Sequence, residues 1–505
     1  MVNEGAPNAT LGSSSWLKVI AAAVLYLALN QSIQLLLPGV RLDLSEKRQY
    51  TLTQGSRSII DSVQKPTELS LFYSEKEARP YPQFRQYAQR VIEKVAEYAA
   101  QSEGKIRLQT IDPEPYSASE DDAISRGITA IPLEDGSGPL YFGISAKAGD
   151  RRQAIAFIKP EAEPHLEYEL SKLIQSVQSG DKPKLVLVTD LPVSGNDNPA
   201  YGPVSPAWVV YRQLSERYQL SHASPQALPD LKGTDVLWVM HPRGWPASTL
   251  VKIRRFIEGG GHAVILLDPN AESVPVVSIT SPLLNNLYLG SESNSLLGTW
   301  GIDFSADQVV LDSKYAWLMQ LDTNQFPKRN PGLISLPADA MNQRDVVSTG
   351  LDRVVMSSAG ALSLAEKSPL RIEPLLQSSD ASRLISAESY RLASEDPEKL
   401  LNGFVSSQEP FVLAARFYRD GANSANKQNT GAKPVNFIVI TDTDFLSDRL
   451  WVQENNLFGE SVFNAQASNG DFFLNVVDQL SGSDDLISIR SRGVVSRPFE
   501  KVDQL

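Results

Sequence analysis

The 505-residue chain contains no cysteine, which removes disulfides, thiolate nucleophiles, dithiol redox chemistry and cysteine-ligated zinc or iron–sulfur sites together. Histidine is almost as scarce. His165, His222, His241 and His262 are the four present, and no two stand at the i, i+4 spacing that puts two imidazoles on one helix face for a metal. There is no G-x-x-x-x-G-K-[ST], the loop whose amides cradle nucleotide phosphates. A G-x-S-x-G elbow and a G-x-G-x-x-G fingerprint are missing too, and "EGGGHA" reads as a helix stop, because glycine is the usual residue past a helix end. Positive charge is also in short supply: 47 Lys and Arg face 59 Asp and Glu, a net charge of −12. Nucleic acid therefore drops out as a partner, since its binding begins with a basic footprint. Neither a metal nor a cofactor is expected.

What is present is mostly globular. At about 100–200 residues per domain the length predicts two to four domains, and 42% hydrophobic with 21% charged residues fits water-facing folds. One long apolar run stands out. Val19–Leu29 is wholly apolar and continues to Leu37, with Asn30, Gln31, Ser32 and Gln34 as interruptions, so it approaches the roughly 20 residues of a spanning helix. A transmembrane helix over 16–38 is expected, after an N-terminal tail over 1–15. No Ala-x-Ala cleavage site follows Leu29, which disfavours a removed signal peptide. Lys18 before the span and Arg41, Lys47 and Arg48 after it leave the orientation open.

Beyond a juxtamembrane segment over 39–64, "TELSLFYS" predicts a strand. "FRQYAQRVIEKVAEYAAQ" puts Phe84, Tyr87, Val91, Val95 and Tyr98 on one helical face, and "KIRLQTID" completes a β-α-β unit. The loop "GITAIPLED" and the strand pair "PLYFGISAK" and "RRQAIAFIK" follow. This order over 65–160 resembles a thioredoxin-like domain, with Pro132 where that fold often has a cis proline. Without cysteines a binding or packing role is what survives. An amphipathic connecting helix occupies 161–182, with Gly180 as its expected C-cap.

From 183 to 495 the strands "PKLVLVTD", "DVLWVM" and "AVILLD" alternate with helices in "SPAWVVYRQLSERY", where Ser205 is the expected N-cap and Pro206 the first helical residue, and in "STLVKIRRFIEGGG", stopped by Gly259. Continuous apolar strands between helices predict a parallel sheet covered on both faces, a doubly wound α/β domain. Insertions fall around 270–405. The pattern returns at "FVLAARFY" and "NFIVITDTDF", which flank the polar loop "GANSANKQNTGAKP", and a tail over 496–505 ends the chain.

Ligands of open parallel sheets sit outside the carboxyl ends of the strands. Here those ends read Asp190, His241, Asp268, and Asp442 with Asp444. They predict a polar crevice for a ligand or partner, with Asp268 and His241 foremost; the plainer reading is that aspartate is common in turns and at N-caps. Without a nucleophile or metal, no catalytic residue is assigned.

Three segments carry a family resemblance. "RLDLSEKRQYTLTQGSRSII" resembles the opening after the first membrane span of GldG-like proteins, auxiliary components of an uncharacterised ABC-type transport system associated with gliding motility. "VITDTDFLSDRL" and "NGDFFLNVVDQLSGSDDLISIRSR" resemble their closing portion. The resemblance implies a non-enzymatic subunit anchored in the bacterial inner membrane with its bulk in the periplasm, working with a separate ABC ATPase and a polytopic permease. It also implies a flavodoxin-like or glutamine-amidotransferase-like sheet, and makes Asp43, Leu44, Tyr50, Leu52 and Gly55 an ordered joint between anchor and first domain. Relatives commonly continue past "RPF" into a charged helix and a second span, so a fragment or a one-span variant is expected. The alternative function is an envelope hydrolase or ligand-binding sensor using the crevice near Asp268.

Overall fold

The computed structural model describes residues 52–482 apart from 134–137, 179–181, 198–203, 275–289, 293, 305, 320–326, 394–395, 420–432 and 458–459, and beyond them residues 485, 486 and 489. The expected transmembrane helix at 16–38, both tails, residues 39–51 of the juxtamembrane segment, Gly180 and nearly all of the polar loop lie outside the described residues. Among the described residues no helix is long and apolar enough to cross a membrane.

The architecture is mixed α/β. Strand β1 (Thr67–Tyr73) pairs in parallel with β2 (Ile106–Ile111) through the helix Pro82–Gln101, which starts on a proline suited to a first turn and buries Tyr87, Val91, Val95 and Tyr98 at helical spacing. Strands β3 (Ala130–Pro132), β4 (Pro139–Ala148) and β5 (Arg151–Ile155) complete a five-stranded sheet ordered β2-β1-β4-β3, with β5 also on β4. Among the described residues there is no cis peptide bond, so Pro132 departs from the cis proline the fold resemblance suggested. It ends an edge strand, paired with Pro139, where a missing N–H costs no interior ladder bond.

The helix Leu166–Gln178 leads to the larger sheet. Its Glu167 accepts hydrogen bonds from the Thr53 amide at 2.6 Å and the Ser56 hydroxyl at 2.7 Å. Lys172 Nζ reaches Asp478 at 3.0 Å.

The larger sheet contains β6 (Lys184–Val188), β7 (Gln219–Ala223), β8 (Val236–Met240) and β9 (His262–Leu266). After β10 (Ile302–Phe304) the chain forms β11 (Gln308–Asp312), β12 (Ala316–Met319), β13 (Lys328–Pro337), β14 (Arg353–Ser357), β15 (Leu362–Leu364), β16 (Arg371–Gln377) and β17 (Ser382–Ser386). Strands β18 (Val412–Arg419) and β19 (Val435–Ile440) follow. The order is β10-β15-β18-β19-β9-β8-β6-β7, with β16 also on β18. Five neighbours, β7 to β19, run parallel.

Alternate residues of these strands feed two cores. Leu187, Trp238, Val264 and Ile438 pack with the helices Val209–Arg217 and Asn469–Leu480, whereas Val188, Val239, Ile265 and Val439 pack with the helix Ala247–Glu258. This is the period-2 pattern of a sheet buried on both faces, and each fully buried aliphatic side chain contributes about 1.5–3 kcal/mol.

Two expectations need correction. Strand β18 runs antiparallel to β19. The connecting "GANSANKQNTGAKP" has no apolar stripe with which a crossover helix could pack, and a parallel connection requires such a crossover. The helix predicted to start at Ser205 and Pro206 starts at Val209. Ser205 instead exchanges backbone hydrogen bonds with Asn196, and the Val209 amide is satisfied by Asp448 Oδ1 at 2.9 Å.

Candidate functional site

Strands β9 and β19 are parallel neighbours that end in register, Leu266 opposite Ile440. The loops leaving them therefore emerge side by side, and Asp268 and Asp442, each two residues past its strand, meet. Asp444 joins them. One carboxylate oxygen from each lies within 4.8 Å of the other two, and all three residues are fully buried.

Short polar loop contacts fix the cluster. Asp268 accepts from the Asn270 amide at 2.7 Å, and from the amide and hydroxyl of Thr443 at 2.8 and 2.7 Å. Asp442 accepts from the amides of Ser357 at 2.6 Å and Phe445 at 3.0 Å. Asp444 accepts from the amides of Glu272 at 2.7 Å and Ser273 at 2.9 Å, and from the Ser273 hydroxyl. Amide donors favour the charged form, but burial and like charge oppose it. Burial, then Asp444, pushes Asp268 up; burial, then Asp268 and Asp444, pushes Asp442 up; burial, then Glu272, raises Asp444 to about 6. The cluster can hold protons near neutral pH or, by geometry alone, a cation.

His241 sits with φ +55° at the end of β8. Its Nδ1 lies 2.9 Å from Ser291 Oγ, which accepts from the Asp268 amide at 3.0 Å. The imidazole is thus linked to the backbone of Asp268, not to its carboxyl. Burial, then the charge of Arg243, pushes its pKa down to about 4, and among the described residues its Nε2 has no hydrogen-bond partner. Asp190 is exposed and accepts from the Trp245 indole N–H at 2.9 Å, outside the hydrogen bonds of the cluster. Of the five strand-end residues, three are brought together, His241 is attached through Ser291, and Asp190 is separate.

The open space lies beside the three carboxyls. A cavity of about 650 Å³ is lined by Asn270, Glu272, Trp317, Tyr390, Arg391 and Arg449 among others. Glu272 joins it to the cluster: its own amide caps Asp444, and its carboxylate takes Arg449 Nη2 at 2.6 Å and Ser357 Oγ at 3.1 Å. A β-bulge between Ala316 and Trp317 re-aims β12 at this point. The Arg353 guanidinium lies 5.0 Å from the Trp317 ring. Tyr390 reaches the wall because Gly332 has no side chain; a Cβ there would overlap its ring.

Glu272, Trp317, Tyr390, Arg391 and Arg449 were missed by the sequence reading. Glu272 follows Asp268 by four residues, so tracing the β9 loop further would have found it. The others come from the insertion and from the short helix Asp448–Trp451 after β19, where no periodic pattern signals which side chains converge.

Fold and site together define an α/β protein with a pocket at the carboxyl ends of a mixed sheet and a sealed acidic cluster beside it. Residues 182–476, more than half of the chain, match the family described as ABC-type uncharacterized transport system. The chain belongs to this family of transport-system auxiliary components. Residues 46–147 match a domain of unknown function, and no curated protein matches the chain.

Solved structures similar to parts of the chain include the β-galactosidases of Rahnella sp. R3 and Bacillus circulans sp. alkalophilus. The first is 12% identical, covering 63% of this chain and 34% of that one at a TM-score of 0.26, and the second is 14% identical, covering 56% and 32% at 0.24. The exo-β-1,4-mannosidase Op5Man5 of Opitutaceae bacterium strain TAV5 is 11% identical, covering 74% and 48% at 0.20. The chain spans about a third to a half of their lengths, and likeness this low carries no argument about fold or activity.

Proposed function

We propose that the chain is a non-catalytic, membrane-anchored auxiliary subunit of an ABC-type transport system, whose strand-end pocket receives a substrate or partner while a separate ATPase supplies energy to a polytopic permease. The family match over residues 182–476 is the observation that carries this reading. The missing P-loop supports it, since nucleotide hydrolysis then falls to another chain. The apolar run from Val19 to Leu37 supports an inner-membrane anchor, and the resemblance to the GldG-like branch associated with gliding motility supports a bulk in the periplasm. The β-α-β order with its following hairpin supports a thioredoxin-like first domain, and the five parallel strands support a flavodoxin-like or glutamine-amidotransferase-like second one.

A hydrolase built on Asp268 fits the site less well, because that carboxyl is fully buried and already accepts three hydrogen bonds. The test is affinity capture of the full-length chain from gently solubilised membranes, with mass spectrometry of what accompanies it. A P-loop ATPase and a polytopic permease in fixed stoichiometry support the proposal; their absence overturns it.

A further inference from the structure

The two guanidinium groups in the pocket wall differ. Arg449 is neutralised by Glu272 at 2.6 Å. Among the described residues Arg391, half-buried, has one hydrogen-bond partner, Asn270 Oδ1 at 3.3 Å, and no carboxylate within ion-pair distance. A guanidinium in a concave wall is a fork of donors matched to a carboxylate. Around it the wall is apolar and aromatic, with Leu333, Leu450, Pro397, Trp317 and Tyr390.

These features select a ligand. Arg391 disfavours a cation, and the second attractive place for one, the Trp317 ring, already holds the Arg353 guanidinium at 5.0 Å. The acidic cluster does not reverse this balance. Its three carboxyls are buried away from the wall, and Glu272, the acid that does line the pocket, is bound to Arg449. A strongly hydrated anion would leave the leucines and aromatic rings in contact with water. An apolar body that carries a carboxylate satisfies both halves of the wall.

We propose that this pocket binds a carboxylate attached to an apolar or aromatic body, with Arg391 as its counter-ion and Trp317 and Tyr390 as its walls. The inference rests on the strand-end pocket being the receiving site of the auxiliary subunit. Such a carboxylate has two sources, a free organic acid or the C-terminus of a peptide ending in an apolar residue. A cavity of about 650 Å³ is large enough for either.

Calorimetric titration of the detergent-solubilised full chain with 3-phenylpropionate and with N-acetyl-leucyl-phenylalanine, each beside its own amide, tests this. At least one acid is expected to bind saturably, with its amide about tenfold weaker or more, because the amide cannot engage the fork as an ion pair. Arg391→Ala should lose about tenfold for the acid and leave the weak amide binding unchanged, and Arg391→Lys should fall between, keeping charge without the fork. A melting curve for each variant separates lost binding from lost fold.

If the peptide acid alone binds, the source is a chain terminus; if phenylpropionate alone binds, it is a free acid. Equal affinity for acid and amide overturns the proposal, as does the absence of saturable binding by either acid up to about 20 mM. Capture of the transporter subunits does not depend on this titration. The ligand class can therefore fail while the subunit assignment stands, and the reverse.

Discussion

Two buried charge clusters in the same sheet are handled in opposite ways. On β18, Arg416 is fully buried with Asp345, making hydrogen bonds of 3.2–3.4 Å to its carboxylate and one of 2.7 Å to Gln479. At the end of β9 and β19, three carboxyls share a site, and among the described residues none of them is in an ion pair; Arg449, which acts on Asp444 through space, stands on the pocket wall paired with Glu272. The first cluster closes its charge within the core and depends on nothing outside. The second has no such partner, so its charge is set by how many protons it holds and follows pH.

The largest effect should come from breaking the closed cluster. Arg416→Met leaves Asp345 as an uncompensated buried charge, and removing one partner of such a pair costs about 3–5 kcal/mol in urea unfolding. Replacing both, as Arg416→Met with Asp345→Leu, should recover most of that loss, because a buried pair exchanged for apolar side chains of similar volume is often neutral. A double variant as unstable as the single one would mean that Gln479 and Asn436, which also bond the guanidinium, carry the energy instead.

On the pocket side, Gly332→Ala should cost about 1–3 kcal/mol by overpacking, since its methyl group would overlap Tyr390. It should also shift that ring into the cavity, weakening carboxylate binding more than Arg416 variants of equal stability do. Binding unchanged in a destabilised Gly332→Ala protein would remove Tyr390 from the wall.

The sequence made the parallel core legible because its strands are continuous apolar runs between amphipathic helices, and it made Asp268 and Asp442 legible because strand ends are predictable places for polar groups. It did not say that β9 and β19 are neighbours, so all five strand-end residues read as one polar crevice, whereas three of the carboxyls form a buried cluster. The helix at Val209 was misplaced for a related reason: its first amide is capped by Asp448, 239 residues away, and local signals cannot show a cap supplied from that distance. The pocket wall was illegible because it comes from the insertion, where a bulge at Trp317 and a close approach at Gly332 have no periodic signature.

The acidic cluster predicts a smaller effect with a definite sign. Folding raises Asp444 from 3.8 to about 6, so between those values the folded chain binds more protons than the unfolded one. The stabilisation is complete below pH 3.8 and is lost as the pH rises through 6. His241 acts in the opposite direction: lowered from 6.5 to about 4, it contributes stability that is present above pH 6.5 and lost as the pH falls through 4. Asp444→Asn should therefore make stability rise more steeply with pH across this window, by about 2 kcal/mol in total. It should also lower stability at pH 4 by about 1–3 kcal/mol through a lost acceptor. An unchanged pH dependence would mean that Asp444 keeps its ordinary pKa in the fold, the charge of Arg449 offsetting its burial.

Chelation should have the smallest effect. Each of the three carboxyls already accepts two or three hydrogen bonds from amides or hydroxyls, protonation relieves their repulsion, and no oxygen of the cluster is open to water. Dialysis against a chelator should then leave the melting midpoint within about 1 °C, whereas removing a cation present at a hundredfold excess over its dissociation constant would cost about 2.7 kcal/mol. The same dialysis in the Asp444→Asn protein sharpens the result. If metal is what neutralises the cluster, the wild type should fall on chelation and the variant should not. If protons do so, the two proteins should respond alike, and the contrast between the cluster at the strand ends and the closed pair on β18 is one of pH alone.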